Sequence, residues 1–182
     1  MPLEFTTSYL QDIIPLFRHY KKLAERAMIQ VTEDQLTLAL DPEMNSIAII
    51  VKHMAGNMRA RWTGFPWVDG ESDARDRDSE FVEPPQSRAE LMAIWEQGWG
   101  CVFSALEPLS DADLGGRLTI RGEAHSVLQA INRQLAHYAY HTGQIVFLAK
   151  QLQQGGWKSL TIPRGQSREF NRRVASGEVS QR

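Results

Sequence analysis

The chain has 182 residues, a formal net charge of −2, 42% hydrophobic and 23% charged residues, and one cysteine. That length suits one domain around one core, and the apolar fraction excludes wholesale disorder. A single cysteine excludes an intramolecular disulfide framework and every multi-cysteine zinc site, and near-neutral charge gives no broad reason to expect nucleic acid as a partner. The longest strongly apolar stretch, around Ile47 to Val51, is far too short to span a bilayer. The first seven residues carry Glu4 and no basic, apolar run of the export type. A cytoplasmic protein with no membrane partner is the expectation.

The first predicted helix covers about residues 8–30. Ser8 and Gln11 have capping-box spacing, and Leu10, Ile13, Ile14, Phe17, Leu23, Ala24, Ala27 and Val31 share one face. Pro15 removes a backbone donor inside this pattern and predicts a kink or a broken first turn. A connector follows over 31–42, where Leu36, Leu38 and Leu40 alternate like a short strand, with a buried loop as the equal alternative. Asn45 or Ser46 caps the second helix, which runs to about Trp62 on a stripe of Ile47, Ile50, Val51, Met54 and Met58.

Residues 63–86 read as a long surface loop bracketed by Gly64, Pro66, Gly70, Pro84 and Pro85. Its charged run from Glu71 to Glu80, with Asp73, Arg75, Asp76, Arg77 and Asp78, is expected to be a solvated face. Ser87 and Glu90 then form a second capping box and open the third helix. Leu91, Trp95, Trp99, Val102, Phe103 and Leu106 make its stripe, which ends at Pro108; core packing is the expected role of these tryptophans. Cys101 beside them reads as a buried, inert thiol, since no basic neighbour is evident. Over 109–121 lies a second connector, in which Gly115-Gly116 precede an extended Leu118-Thr119-Ile120.

The fourth helix spans about 126–153 and stops at Gly155-Gly156. Val127, Ile131, Leu135, Tyr138, Ile145, Ala149 and Leu152 form its stripe. Four amphipathic helices with long connections predict an all-α four-helix bundle over residues 1–162. A tail over 163–182 is expected to be partly packed, with a solvated, disordered end; it carries Arg164, Arg168, Arg172, Arg173 and Arg182. Trp157, Leu160 and Ile162 are placed to anchor the stretch leading into it.

Of the five histidines, His137 and His141 are four apart on a predicted helix, so both imidazoles lie on one face, one turn apart. Tyr138 follows His137 where a zincin motif needs Glu, which excludes that protease class. The pair sits on the flank of the apolar stripe with Ala130, Gln134, Gln144 and Leu148. Gln134 and Gln144 are placed to hold the second nitrogen of a ligating imidazole or a coordinated water. The pattern alone leaves two uses open, a metal pair or two amphipathic residues filling a helix seam. A third ligand must come from another helix. His53 is the best candidate, among Ile49, Ile50, Asn57 and Ala60 on a face that suits a cavity wall as well as a surface. His19 lies on the polar side of its helix, and His125 reads as a cap or loop residue.

Asn45 to Asn57 with its single histidine, together with His137-Tyr138-Ala139-Tyr140-His141-Thr142-Gly143-Gln144, resembles the DinB-like metal-binding four-helix bundles. Thr119-Ile120-Arg121-Gly122-Glu123 and Ile162-Pro163-Arg164-Gly165-Gln166-Ser167 are similar to a largely uncharacterised branch of that superfamily. The resemblance implies a divalent cation, zinc or nickel, held by His53, His137 and His141 with water at the open positions. It also implies metal-dependent activation of a low-molecular-weight thiol that attacks an electrophilic small-molecule substrate, as in bacillithiol or mycothiol transferases and a thiol-dependent maleylpyruvate isomerase. A homodimer is a further implication. Asn57, Gln134 and Gln144 would be cavity or supporting residues. Arg164 would reach an anionic thiol only if the tail folds back, and is otherwise a surface arginine. The reading from another class is a non-catalytic metal-binding or structural homodimeric bundle acting through protein interactions. Nucleic-acid binding draws support only from the basic tail, which lacks interleaved aromatics beyond Phe170.

Overall fold

The structure, a computed structural model, describes residues 8–67 and 75–180. Glu4, Gly70, Glu71, Asp73 and Arg182, each given a reading above, lie outside the described residues. Four long helices form a bundle: α1 (Tyr9–Met28), α3 (Ile47–Trp62), α4 (Arg88–Leu106) and α5 (Val127–Leu152). Two short α-helices, α2 (Glu33–Thr37) and α6 (Ser167–Ala175), two 3-10 turns (Asp78–Phe81 and Asp111–Gly115) and a hairpin of β1 (Arg117–Ile120) with β2 (Glu123–Ser126) complete the described fold. The strands are antiparallel, with Arg117 opposite Ser126 and Ile120 opposite Glu123.

Each long helix starts at a serine whose hydroxyl accepts a backbone N–H three residues on, from Ser8, Ser46, Ser87 and Ser126. The box closes at Ser126, whose N–H donates to Gln129 Oε1 at 2.8 Å. At Ser87 it does not close as spaced, because Glu90 accepts from Gln86 N–H instead, at 2.9 Å. Ser8 also donates to Asp111 at 2.8 Å, tying the start of α1 to the turn after α4.

Pro15, the 31–42 connector and His125 differ from expectation, while the run at Leu118 is extended as expected. Helix α1 runs unbroken through Pro15, which faces solvent, so the carbonyl that loses its donor there is open to water. The 31–42 connector is neither strand nor buried loop: Thr32 and Gln35 close a capping box that opens α2, leaving Leu36 buried and Leu38 and Leu40 exposed. The extended run at Leu118 finds a partner in β2, and His125 is a strand residue with Nδ1 2.9 Å from Glu123 O.

The dry core lies between α1, α4 and one face each of α3 and α5. Phe17 meets Trp62, Trp99 and Tyr138 edge-on at centroid distances of 6.0, 6.3 and 6.0 Å. Helices α3 and α4 pack closely at Gly98, where a Cβ would stand 3.0 Å from Ala55 Cα. Cys101 is half-buried beside this core, less enclosed than expected. Trp157 and Leu160 pack on the core as anticipated, and Lys158 N–H donates to Gln30 Oε1 at 2.7 Å. Beyond them the tail is not irregular throughout: residues 167–175 form α6, none of it buried. Among the described residues no helix is long and apolar enough to cross a membrane.

Candidate metal centre

Helices α3 and α5 run antiparallel. Ile50 lies by Leu148, Asn57 by Tyr138 and Arg61 by Gln134, so His53 falls opposite His137 and His141. The structure thus brings together the three histidines singled out in the sequence. His137 Nε2 is 3.3 Å from His53 Nε2 and 3.0 Å from His141 Nε2. One nitrogen from each ring lies within 4.8 Å of the other two, and His53 is buried while its partners are half-buried. His19 is exposed and His125 lies on the hairpin, neither joining the cluster.

Hydrogen bonds on the outer nitrogens decide what the inner ones present. His53 Nδ1 is 2.9 Å from Glu80 Oε2, and a carboxylate oxygen accepts, so the proton sits on Nδ1. His141 Nδ1 is 2.7 Å from Gln144 Oε1, whose amide nitrogen donates to the Tyr140 hydroxyl at 3.1 Å, and the same assignment follows. Both rings therefore turn an Nε2 lone pair toward His137. Burial, followed by the neighbouring imidazoles of His141 and His53, lowers the His137 pKa to about 3, which keeps that ring neutral. Burial is also the first cause that lowers His141, against the opposing bond from Gln144.

One proton on His137 can serve only one of the two facing lone pairs, and its buried Nδ1 has no hydrogen-bond partner. A cation among the three Nε2 atoms satisfies them together. Zinc–imidazole bonds of about 2.0–2.1 Å at near-tetrahedral angles separate ligand nitrogens by about 3.3–3.4 Å, close to the spacings here. The residues present therefore fit a divalent metal, and the cluster is capable of holding one.

Glu80 is the residue that the sequence reading missed. The run placed on a solvated face turns inward at two positions: Glu80 is buried, and Arg75 donates through Nε and Nη2 to its two oxygens, each at 2.9 Å. Burial alone would raise the Glu80 pKa, but the hydrogen bonds from His53 and Arg75 outweigh it and hold the carboxyl below its ordinary value. Lys52 pins the segment by donating to Val82 O at 2.8 Å, and Phe81 covers the His53 ring at a centroid distance of 4.7 Å. Room for the carboxylate comes from Gly56, where a Cβ would stand 2.3 Å from Glu80 Oε1. A glycine inside a helix, one turn from a candidate ligand, was the signal available for this contact.

His53 and His137 line a cavity of about 340 Å³, as do Asn57 and Gln134. Asn57 Oδ1 accepts from the Tyr138 hydroxyl at 3.0 Å, and Gln134 Oε1 is buried with no hydrogen-bond partner. The remaining wall is arginine, contributed by Arg61, Arg75, Arg77, Arg121 and Arg133. Gln144 lies behind His141, outside this cavity. Arg164 is exposed and does not line it, so the described position gives it no part in the site.

The profile of the family described as "Protein of unknown function (DUF1572)" matches residues 4–166, and the chain belongs to that family. Among solved structures, the chain is similar to a DinB-like protein from Bacillus cereus, at a TM-score of 0.57 and 14% identity over 78% of this chain and 91% of that one. Likeness at that identity establishes the DinB-like fold and nothing further. No curated protein matches the chain in sequence.

Proposed function

We propose that this DinB-like member of an uncharacterised family holds zinc or nickel on His53, His137 and His141 and acts as a metal-dependent transferase on a low-molecular-weight thiol. The observation that carries the reading is the convergence of three Nε2 atoms beside a polar cavity that His53 and His137 line, with Glu80 and Gln144 fixing two of the rings. A divalent cation bound there would lower the pKa of a thiol placed against it. The chain's own residues supply the rest. Glu80 and Gln144 hold the proton on the outer nitrogens, Phe81 shields one face of His53, and the cavity admits a small molecule beside His137. Three protein ligands and an adjoining cavity are the layout of a site for chemistry; a purely structural zinc site has four protein ligands.

The test is metal content by mass spectrometry on untagged protein and on His53→Ala, His137→Ala and His141→Ala. Near-stoichiometric zinc or nickel, lost in each variant, is the expected result and opens a screen of thiol-transfer reactions. No metal after incubation with either ion overturns the reading. It would leave ahead a homodimeric bundle acting through an interface. That alternative draws on the exposed apolar side chains Met44 and Phe147, which border one depression and are 41% and 67% exposed.

A further inference from the structure

The arginine wall goes beyond what a metal site explains. A chain of net charge −2 sets five guanidinium groups around one cavity, and only Arg75, bonded to the Glu80 that orients His53, is accounted for by the histidine cluster. They come from four separate places: Arg61 from α3, Arg75 and Arg77 from the segment before α4, Arg121 from the hairpin turn, and Arg133 from α5. One amphipathic helix does not produce that convergence. Arg61 is itself buried, at 7% exposed. Arg121 stands at a φ of 54°, before Gly122 at 78°, in a turn whose left-handed positions favour Asn and Gly. The fold thus keeps an arginine at a backbone position costly for its type, and does so on the cavity wall.

The two helices set the spacing. Arg133 precedes His137 by four residues, about 6 Å along α5, and Arg61 follows His53 by eight, about 12 Å along α3. Planar guanidinium forks match carboxylate and phosphate oxygens two at a time.

We propose that this cavity binds a small organic polyanion carrying two or three carboxylate or phosphate groups about 6–12 Å from the histidine cluster. The arginines other than Arg75, which is bonded to Glu80, hold the anionic groups and leave the other end of the molecule against the histidines. Only that last placement rests on the metal reading.

Isothermal titration calorimetry on the full chain, as purified and after chelator treatment, tests this with tricarballylate, succinate, butyrate and succinamide. Affinity should rise with the number of carboxylates and vanish for succinamide. Arg133→Gln should weaken tricarballylate binding about tenfold, and Arg61→Gln with Arg133→Gln together about a hundredfold, the loss expected for charge-assisted hydrogen bonds. Should Arg61→Gln fail to fold, Arg121→Gln with Arg133→Gln serves, since both sit at exposed positions. A flat series, or a series that Arg133→Gln leaves unchanged, overturns the proposal. Because the series is read with and without metal, an absent metal leaves this test standing. A bound metal with a flat series would sink the anion site alone.

Discussion

Helices α3 and α5 each bury two faces, and the two are held by different physics. On one side Phe17, Trp62, Trp99 and the Tyr138 ring pack edge to face without a charged group. On the other, His53, His137, His141, Glu80 and Arg75 are enclosed and linked at 2.7 to 3.3 Å, with His137 Nδ1 left without a partner. Dispersion and apolar area reward any close packing, so the first face is set by volume and has no single indispensable contact. The second is set by direction. A buried carboxylate costs several kcal/mol unless its oxygens are paired, so each residue there requires a particular neighbour. The same two helices therefore supply stability on one face and a candidate metal site on the other.

If the division holds, damage to each face should register in a different measurement. The largest effect belongs to the dry side. Trp99→Ala empties the position where the Phe17, Trp95, Phe103 and Tyr138 rings meet. It should cost about 3–5 kcal/mol in denaturant unfolding, while the protein that remains folded binds metal as the parent does. Loss of metal in the folded fraction would show that the two faces are not separable. Glu80→Gln is the opposite experiment. An amide accepts from His53 less strongly than a carboxylate and cannot receive both Arg75 bonds, so metal affinity should fall about 10–100-fold. The unfolding free energy of the metal-free protein should change less than in Trp99→Ala. An unaltered metal affinity would reduce Glu80 to a partner of Arg75.

The sequence displayed these two faces unequally, for a physical reason. Serine caps and stripes at three- and four-residue spacing are local, and α3, α4 and α5 start within a residue or two of where Ser46, Ser87 and Ser126 predict them. The histidine pair was readable as a spacing, and His53 as a candidate on a second helix. Their meeting was not readable, because it depends on the antiparallel register of α3 and α5. The segment of Arg75 and Glu80 was misread because a charged run without apolar periodicity is ordinarily solvated. What turns it inward lies elsewhere in the chain: His53 and Arg75 as donors, Gly56 as space, and Lys52 as a tether at Val82. The arginine wall was invisible for the same reason, since its members are scattered from Arg61 to Arg133 and share no pattern.

Tyr138 marks the border between the faces and gives the smallest expected effect. Its ring belongs to the aromatic core, fully buried against Phe17 and Trp99. Its hydroxyl accepts from Trp62 Nε1 at 2.9 Å and donates to Asn57 Oδ1 at 3.0 Å, on a residue that lines the cavity. Burial pushes the phenol pKa well above its ordinary value, so the proton stays available to Asn57 at any pH where the protein is studied. Tyr138→Phe keeps the ring and deletes the bridge. With Trp62 N–H losing its acceptor, unfolding should become easier by about 1 kcal/mol. Metal affinity should change less than in Glu80→Gln, because no histidine nitrogen loses a partner. A drop in metal affinity as large as that of Glu80→Gln would instead make Tyr138 a member of the site, through Asn57. The border between packing and chemistry would then run through the aromatic cluster itself, not along its edge.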